Sequence, residues 1–381
     1  MYVLIAPDKF KGTLAAADVA AAVAAGLAEV LPGARIATIP VADGGEGTVA
    51  AALGAGYTEV RRTVAGPHGR PVEAALAVLG ETAVVELAAA SGLDLVPEAE
   101  RDARTASSRG TGELVAAALD AGARRIVLGV GGSACTDGGA GLLSALGARF
   151  LDASGAVLDD GGAALNQLAC VDLSGLDPRI EKVDFVLASD VDNPLLGERG
   201  AAAVFGPQKG ATPEIVAELE SGLAQFVEVF ERVAGPERAG AAAEPGAGSA
   251  GGVGFAALAV LRASRRRGID VVMELTGFTA ALDGADAVVT GEGRLDTQTL
   301  EGKAPAGVAA AAAARGIPVY AVCGRLDLDA DTLAAAGIGA AIALTDVEPD
   351  VATCIARPGP LLQEVGGRIG RALEQRVPTT A

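Results

Sequence analysis

The sequence predicts an α/β protein in which both chain ends form one parallel domain and the middle of the chain forms a second, mixed domain. At both ends of the 381-residue chain, short apolar runs alternate with helical segments, a pattern typical of parallel α/β folds. The middle opens instead on three short strands separated by turns, which indicates an antiparallel meander. Half of the residues are hydrophobic, so a large core can be buried.

The two chain ends supply the predicted parallel domain. Short apolar runs suit buried parallel strands, and the segments between them have helical periodicity. At the N-terminal end we predict a strand at 2–6, a helix at 13–30, a strand at 34–39 and, after a glycine-rich turn, a helix at 48–53. At the C-terminal end we predict a strand at 286–290, a helix at 305–314, a strand at 318–323, a helix at 330–336 and a strand at 340–345.

The middle of the chain supplies the predicted mixed domain. Its meander strands are expected at 58–64, 72–78 and 83–87, followed by a helix at 111–121, a strand at 125–129, a helix at 139–146 and a strand at 183–189. The Ala-Gly-rich residues 234–254 are expected to be flexible or rich in turns. The predicted boundaries are 1–62 together with 284–381 for the parallel domain, and 63–283 for the inserted domain.

Composition excludes several classes of protein. Thirty Lys and Arg stand against 48 Asp and Glu, and the net charge of −18 argues against nucleic acid or an anionic membrane as a partner. Four scattered cysteines without a C-x-x-C motif disfavour a zinc site or a disulfide framework and fit a reducing cytosol. We expect a cytoplasmic protein, because the apolar run at 2–6 ends too soon for a signal peptide.

Charged residues gather where the predicted parallel strands end, the edge at which open α/β sheets bind ligands. Lys9 and Lys11 follow the first strand beside a helix N-terminus, a combination that favours anions. Asp43 and Glu46 follow the second strand in a glycine-rich turn, where they could hold a metal or substrate hydroxyls. This edge is therefore predicted to bind a small, charged ligand.

The loop after the strand at 286–290 is dense in polar residues. Arg294 is the best candidate there for a clamp on a carboxylate or a phosphate, because its planar guanidinium matches both groups in a bidentate way. Asp296 lies two residues further on in the same loop. Such a loop directly after a buried strand is more typical of a binding site than of a solvated turn.

A glycine-rich segment follows the strand at 125–129. Residues 129–134 match G-x-G-x-x-A, which is close to the dinucleotide fingerprint. The acidic residue that a dinucleotide site places about 20 residues further on is missing, so nucleotide phosphates are favoured over NAD. The backbone amides of Gly131, Gly132 and Ser133 are the expected phosphate ligands, because they lie in a glycine-rich turn ahead of a helix.

Two carboxylates follow the strand at 183–189. Asp190 and Asp192 could supply a general base and a contact to Mg²⁺. The single histidine, His68, lies in a hairpin-like turn that turn chemistry explains. Catalysis is therefore expected to depend on carboxylates.

Taken together, these segments resemble the bacterial type 1 glycerate kinase family. The resemblance covers nearly the whole chain and rests on six motifs that occur in order. They are Ala-Pro-Asp-x-Phe-Lys-Gly, Pro-Val-Ala-Asp-Gly-Gly-Glu-Gly-Thr, Gly-Val-Gly-Gly-Ser-Ala, Ala-Ser-Asp-Val-x-Asn-Pro-Leu, Phe-Gly-Pro-Gln-Lys-Gly-Ala and Gly-Glu-Gly-Arg-x-Asp-x-Gln-Thr.

The resemblance implies an ATP-dependent kinase that phosphorylates a hydroxyl of D-glycerate, with 2-phosphoglycerate as the favoured product. It also implies two α/β domains, one of them flavodoxin-like, with the active site in the cleft between them. ATP and Mg²⁺ are the expected cofactors, and D-glycerate is the expected small-molecule partner. The oligomeric state stays open, and a homo-oligomer is compatible with the sequence.

The chemistry of the residues suggests their roles in this reaction. Asp190 is the expected base, with Asp192 as its partner in holding Mg²⁺, and Lys11 is expected to neutralise the phosphoryl group in transfer. Asp43, with Glu46, is the rival for the base. The residues expected to bind glycerate are Arg294, Glu46, Asp296 and Lys9.

Two other functions fit parts of the sequence. An NAD-dependent dehydrogenase would use the glycines at 129–134 for its cofactor. A ligand-binding protein without catalytic activity would keep the fold, but binding one small acid needs fewer charged residues than four strand ends carry here.

Overall fold

A computed structural model of the chain describes residues 1–300 and 302–375. In chain order its strands are β1 (Tyr2–Pro7), β2 (Arg35–Thr38), β3 (Thr58–Ala65), β4 (Pro71–Leu79), β5 (Thr82–Glu86), β6 (Arg125–Gly129), β7 (Arg149–Leu151), β8 (Cys170–Asp172), β9 (Asp184–Ala188), β10 (Ser264–Arg266), β11 (Ala287–Leu295), β12 (Val319–Leu326) and β13 (Ala340–Ala343).

The α-helices of the same residues alternate with these strands. They are α1 (Ala16–Val30), α2 (Thr48–Gly54), α3 (Ala88–Ser91), α4 (Arg109–Asp120), α5 (Ala140–Ala145), α6 (Ala201–Phe205), α7 (Pro213–Ala234), α8 (Pro236–Ala239), α9 (Val253–Ala259), α10 (Gly268–Leu275), α11 (Phe278–Ala281), α12 (Thr297–Leu300), α13 (Ala304–Ala313), α14 (Ala330–Ala335), α15 (Val351–Ala356) and α16 (Pro358–Glu374).

The chain divides into two compact units. The parallel unit comprises residues 1–43, 50–55 and the described residues from 268 onward, and the mixed unit comprises residues 44–49 and 56–267. These limits differ from the predicted boundaries at 62 and 284. The reason is that β3 pairs along its whole length with β4, while α10 packs against α13, where Gly307 meets Ile269.

The parallel unit is built on a five-stranded sheet in the order β2-β1-β11-β12-β13, in which every pairing is parallel. Counted along the chain within this sheet, the order is 2-1-3-4-5, which is the flavodoxin-like order. The predicted parallel, flavodoxin-like domain made from both chain ends is thus confirmed.

Both faces of this sheet are covered, which explains why β1 is a continuous apolar run. Val3 and Ile5 face the core formed with α1 and α16, whereas Leu4 and Ala6 face the core formed with α10 and α13. Helices α1 and α16 approach closely at Gly26, where a Cβ atom would lie 1.8 Å from the carbonyl oxygen of Gln363. Only glycine permits that backbone contact.

The mixed unit is built on a six-stranded sheet in the order β10-β9-β6-β5-β4-β3. The pairings among β10, β9, β6 and β5 are parallel, and those of β5 with β4 and of β4 with β3 are antiparallel. The predicted meander is therefore present. A separate pair, β7 and β8, forms a small antiparallel sheet.

Helix α7 anchors the core of the mixed unit and was absent from the sequence-based prediction. Its Phe226 makes edge-to-face contacts with Phe150, Phe230 and Phe255, with ring centroids 5.2–6.1 Å apart.

Residues 234–254, expected to be flexible or rich in turns, form short helices and turns whose Ala239, Ala241 and Ala247 are buried. Within the described residues no helix combines the length and apolar character needed to cross a membrane.

Candidate active site

Asp8 directly follows β1 at the carboxyl edge of the parallel sheet. It is 6% exposed, and its amide donates a hydrogen bond to the carbonyl oxygen of Gly291 on the neighbouring strand, at 2.8 Å. The amide of Lys9 donates to Asp8 Oδ1 at 2.6 Å, and Lys9 Nζ lies 3.9 Å from the same oxygen. The ammonium of Lys9, a predicted substrate ligand, is thus held beside a buried carboxyl group.

Burial raises the pKa of Asp8 to about 7. The charge of Lys9 opposes this rise, and the negative charges of Asp43 and Glu292 add to it. Burial likewise raises the pKa of Glu292, which accepts a hydrogen bond from Thr299 Oγ1 at 2.6 Å. The structure therefore groups the predicted Asp43 with two carboxyl groups that the sequence-based assignment left out.

Arg294 and Asp296 lie at the carboxyl end of β11. The side chain of Arg294 is 59% exposed, its Nη2 lies 2.6 Å from Asp327 Oδ2, and its Nε lies 3.5 Å from Asp296 Oδ2. Asp296 Oδ1 also accepts a hydrogen bond from the amide of Gln298 at the start of α12, at 2.9 Å. Lys11 is exposed, between β1 and α1. Arg294, the predicted clamp, is thus already oriented by a carboxylate of the protein.

The glycine-rich turn at 44–47 packs against the segment that follows β6 in the mixed unit. A Cβ atom on Gly129 would lie 2.6 Å from the carbonyl oxygen of Gly44, and one on Gly131 would lie 2.6 Å from the Cα of Gly45. Larger residues would force the two loops apart. The glycines of these two motifs are therefore needed for their mutual packing as well as for any ligand.

Glu86, at the end of β5, fixes the start of α2. Its Oε2 accepts hydrogen bonds from the amides of Gly47 at 3.1 Å and Val49 at 3.2 Å. The neighbouring Glu46, predicted to bind substrate, is exposed. Sequence reasoning missed Glu86, because a glutamate that ends an antiparallel meander carries no local signal for capping a distant helix.

The predicted phosphate loop, residues 131–133, is held at both sides. The carbonyl oxygen of Gly132 accepts from the amide of Leu93 at 2.7 Å, and the amide of Ala134 donates to the carbonyl oxygen of Ser91 at 2.9 Å. Within residues 1–300 and 302–375, the amides of Gly131 and Gly132 have no acceptor. Gly132 is exposed and has a φ of +72°. These amides are thus available to an anion.

A buried lysine lies against this loop. Lys209 is 1% exposed, and its Nζ donates to Ser133 Oγ at 2.9 Å and to the carbonyl oxygen of Cys135 at 2.6 Å. No local signal in the sequence predicts this contact, since Lys209 lies in a Gly-Pro-Gln-Lys-Gly segment that is typical of a solvated turn. Of the predicted cofactor-binding residues, Ser133 therefore has a charged partner.

Asp190 and Asp192 follow β9 at the carboxyl edge of the mixed sheet. Asp190 is half-buried, and its Oδ2 atom is shielded from solvent. The side chain of Asp192 is 70% exposed and forms an ion pair with Arg265. Among the described residues, no group of three or more His, Cys, Asp or Glu side chains is arranged to hold a metal ion. The ion pair with Arg265 thus offsets charge on Asp192, one of the two residues predicted to hold the metal.

Known proteins resemble this chain over nearly its whole length. The glycerate kinase family model matches residues 3–374. A glycerate kinase of Bacillus subtilis is 47% identical over 343 residues, which cover 89% of each chain. A glycerate 2-kinase of Escherichia coli K12 is 43% identical over 343 residues, again 89% of each chain. The crystal structure of a glycerate kinase 2 candidate from Salmonella typhimurium LT2 is 40% identical, covers 98% of both chains and has a TM-score of 0.85.

Proposed function

Because the chain belongs to the glycerate kinase family, we propose that it is an ATP-dependent kinase that phosphorylates a hydroxyl of D-glycerate. The observation that carries this proposal is the match of the family to residues 3–374, which includes all six motifs. Assignment to the type 1 subgroup rests on the same motifs. The 43% identity to a glycerate 2-kinase supports 2-phosphoglycerate as the product.

We assign the phosphates of ATP to the loop at Gly131, Gly132 and Ser133. The support is that the amides of the two glycines have no acceptor within the described residues, while the loop is fixed on either side by backbone hydrogen bonds. Preorganised amides bind a polyphosphate without the free-energy cost of ordering the loop. The missing acidic residue after a second strand argues against NAD at the same glycines.

We assign the carboxylate of glycerate to the cations at the carboxyl edge of the parallel sheet. Arg294 is oriented by Asp327, and a guanidinium has five N–H groups, so it retains donors for a second carboxylate. Lys9 is fixed beside Asp8, and Lys11 is exposed nearby in the chain. Glu46, Asp43 and Asp296 are the acceptors proposed for the hydroxyls of the substrate.

The proton of the reacting hydroxyl is assigned to Asp190, with Asp43 as the rival. Asp190 directly follows the buried residues of β9 and Ser189, which fixes the position of its backbone. The pKa of Asp8, about 7, makes this neighbour of Asp43 a further candidate, because a base works best when its pKa lies near the working pH. Replacement of each carboxylate in turn distinguishes these assignments.

Mg²⁺ is the metal we propose for this reaction, and it would neutralise charge on the phosphates when bound. Mg²⁺ typically binds one or two carboxylates together with substrate phosphates and water, so no preformed cage is required. Asp190 is the carboxylate we propose for this contact, with Asp192, which pairs with Arg265, as the second. We place the enzyme in the cytoplasm, in keeping with four free cysteines.

The proposal is tested by measuring ADP release from ATP on a panel of hydroxy acids that includes D-glycerate, L-glycerate, D-lactate and glycolate. We expect rapid release with D-glycerate and slow release with the others. NAD reduction by any of these acids would favour a dehydrogenase. Binding of D-glycerate without turnover in the presence of Mg-ATP would favour a protein that only binds its ligand.

A further inference from the structure

Lys209 is a buried lysine without a carboxylate in contact, an arrangement that costs free energy. Its side chain is 1% exposed, and no ion pair joins its ammonium to any residue in the described ranges 1–300 and 302–375. An ammonium without a carboxylate partner is rarely buried unless polar groups hold it. Here the two acceptors are Ser133 Oγ at 2.9 Å and the carbonyl oxygen of Cys135 at 2.6 Å. Both belong to the glycine-rich segment assigned to the nucleotide.

The carboxylate that attracts Lys209 most directly is committed elsewhere. Burial lowers the pKa of Lys209, a shift opposed by the charge interactions with the Cys135 thiol and with the carboxyl group of Asp137. Its oxygens accept hydrogen bonds from the amide and hydroxyl of Ser108, both at 2.8 Å, and from the amides of Gly139 and Gly141. No ion pair joins this carboxyl group to Lys209 within the described residues, so a carboxylate compensates the positive charge beside the loop only at a distance. A polyanion bound on the loop would complete the compensation.

The contact with Lys209 also fixes the role of the Ser133 hydroxyl. A serine hydroxyl has one hydrogen to donate and two lone pairs that accept. Since an ammonium can only donate, it occupies a lone pair of Ser133 Oγ and leaves the hydroxyl hydrogen for another acceptor. A phosphate oxygen on the neighbouring glycine amides is a suitable acceptor.

We propose that Lys209 is a positioning residue for the nucleotide. Lys209 holds the loop at 131–135 in place and directs the Ser133 hydroxyl to donate to a phosphate oxygen of ATP. The inference rests on the proposed function only in that it takes this loop as the phosphate site. Lys209 acts through Ser133 and the backbone, so its removal should weaken the recognition of phosphates and spare that of the nucleoside and of glycerate.

The test compares the dissociation constants of ADP and adenosine, measured by calorimetry on the full chain, for wild type and Lys209→Met. Methionine is similar in length but has no charge and no donor. We expect the affinity for ADP to fall about tenfold or more, which corresponds to the loss of a charge-assisted hydrogen bond, while adenosine binding and the KM for glycerate stay within about twofold. Lys182→Met, at an exposed lysine of the same unit, is the matched control and should change neither.

Equal weakening of ADP and adenosine binding would show that Lys209 only maintains the structure, and unchanged ADP affinity would remove it from the site. Either result overturns the inference. If Lys209→Met does not fold, Ser133→Ala decides: ADP binding should weaken while adenosine binding is retained, and unchanged ADP affinity overturns the inference. A wild-type protein that binds ADP but does not phosphorylate D-glycerate would contradict the proposed function and leave this inference standing.

Discussion

Arg294 and Asp327 form an ion pair in which Nη2 lies 2.6 Å from Oδ2, so a carboxylate of the protein already holds the guanidinium proposed to bind the substrate. Arg325, opposite Arg294 on the adjacent strand β12, donates from its Nε to the other oxygen of Asp327 at 2.8 Å. One carboxylate therefore orients two arginines at the same edge of the sheet. Because both arginines contact Asp327, Arg325 serves as the matched control for Arg294, the proposed substrate clamp.

Replacing Arg294 with lysine keeps the charge but removes the planar fork. We expect the KM for glycerate to rise about tenfold, because a lysine cannot make two parallel bonds to a carboxylate. The KM for ATP should stay unchanged. Steady-state kinetics on Arg294→Lys and on the control Arg325→Lys check this, and equal behaviour of the two variants would place the clamp elsewhere.

Replacing Gly132 with alanine should impair the use of ATP. Gly132 has a φ of +72°, and an added Cβ atom would make only an ordinary contact with Ala88 at 3.5 Å, so the variant should fold. Gly155 has a φ of +85° with open space around it, so Gly155→Ala suffers a similar backbone strain of about 1 kcal/mol. We expect the KM for ATP to rise about tenfold in Gly132→Ala alone. Comparable KM values in the two variants would exclude this loop from the nucleotide site.

Replacing Asp190 with asparagine retains shape and removes basicity. If Asp190 is the base, kcat should fall by about 10²–10⁴-fold, while both KM values change little. Asp184→Asn, at the exposed first residue of the same strand, should leave kcat near the wild-type value. Rapid-quench or coupled assays, with circular dichroism to confirm folding, provide the measurement. A kcat within a few-fold of wild type would transfer the role to Asp43 or Asp8.

The raised pKa of Asp8 makes stability depend on pH. Between about pH 4 and 7 the folded protein retains a proton that the unfolded chain releases, so the free energy of unfolding should fall as the pH rises through that window. Asp8→Asn mimics the protonated form and should remove this dependence, which makes the variant more stable than wild type at pH 8 by up to about 4 kcal/mol.

Urea denaturation at pH 5 and pH 8 measures the effect of this substitution. Asp283→Asn, at an exposed carboxylate of the same unit, should leave the difference between the two pH values unchanged. If wild type and Asp8→Asn lose stability in parallel between pH 5 and 8, the Asp8 carboxyl is not the group that titrates.

Short apolar runs bounded by turns predict the strands of the two larger sheets except β10, and they miss the pair β7 and β8. The run at 2–6 is apolar since both faces of β1 are covered, and turns bound the meander strands on either side. Helix α7 was not predicted, although Pro213 begins it and Thr212 caps it, because no predicted strand lies next to it in the sequence. The limits of the two units differ from the predicted boundaries, because strand pairing, which sequence periodicity does not report, decides the unit to which β3 belongs.

The sequence places the candidate site residues at strand ends but does not report their partners. Motifs placed Lys9, Asp43, Arg294 and Asp190 at strand ends, where parallel sheets bind ligands. The partners of the site residues depend on burial and on contacts between distant parts of the chain. Asp8 is buried among carboxylates, and Arg265 pairs with Asp192. Lys209 contacts Ser133, which lies 76 positions away in the chain. None of these contacts has a local sequence signal.

The most direct test of the account is ³¹P NMR of a reaction that contains the purified protein, Mg-ATP and D-glycerate. We expect the γ-phosphate signal of ATP to be replaced by equal amounts of ADP and one phosphomonoester, split by a single proton because the phosphate is carried on the secondary hydroxyl. Release of inorganic phosphate without a phosphomonoester, or no consumption of ATP, would contradict the assignment of this chain as a glycerate kinase. A phosphomonoester split by two protons would keep the kinase and overturn the 2-hydroxyl as its target.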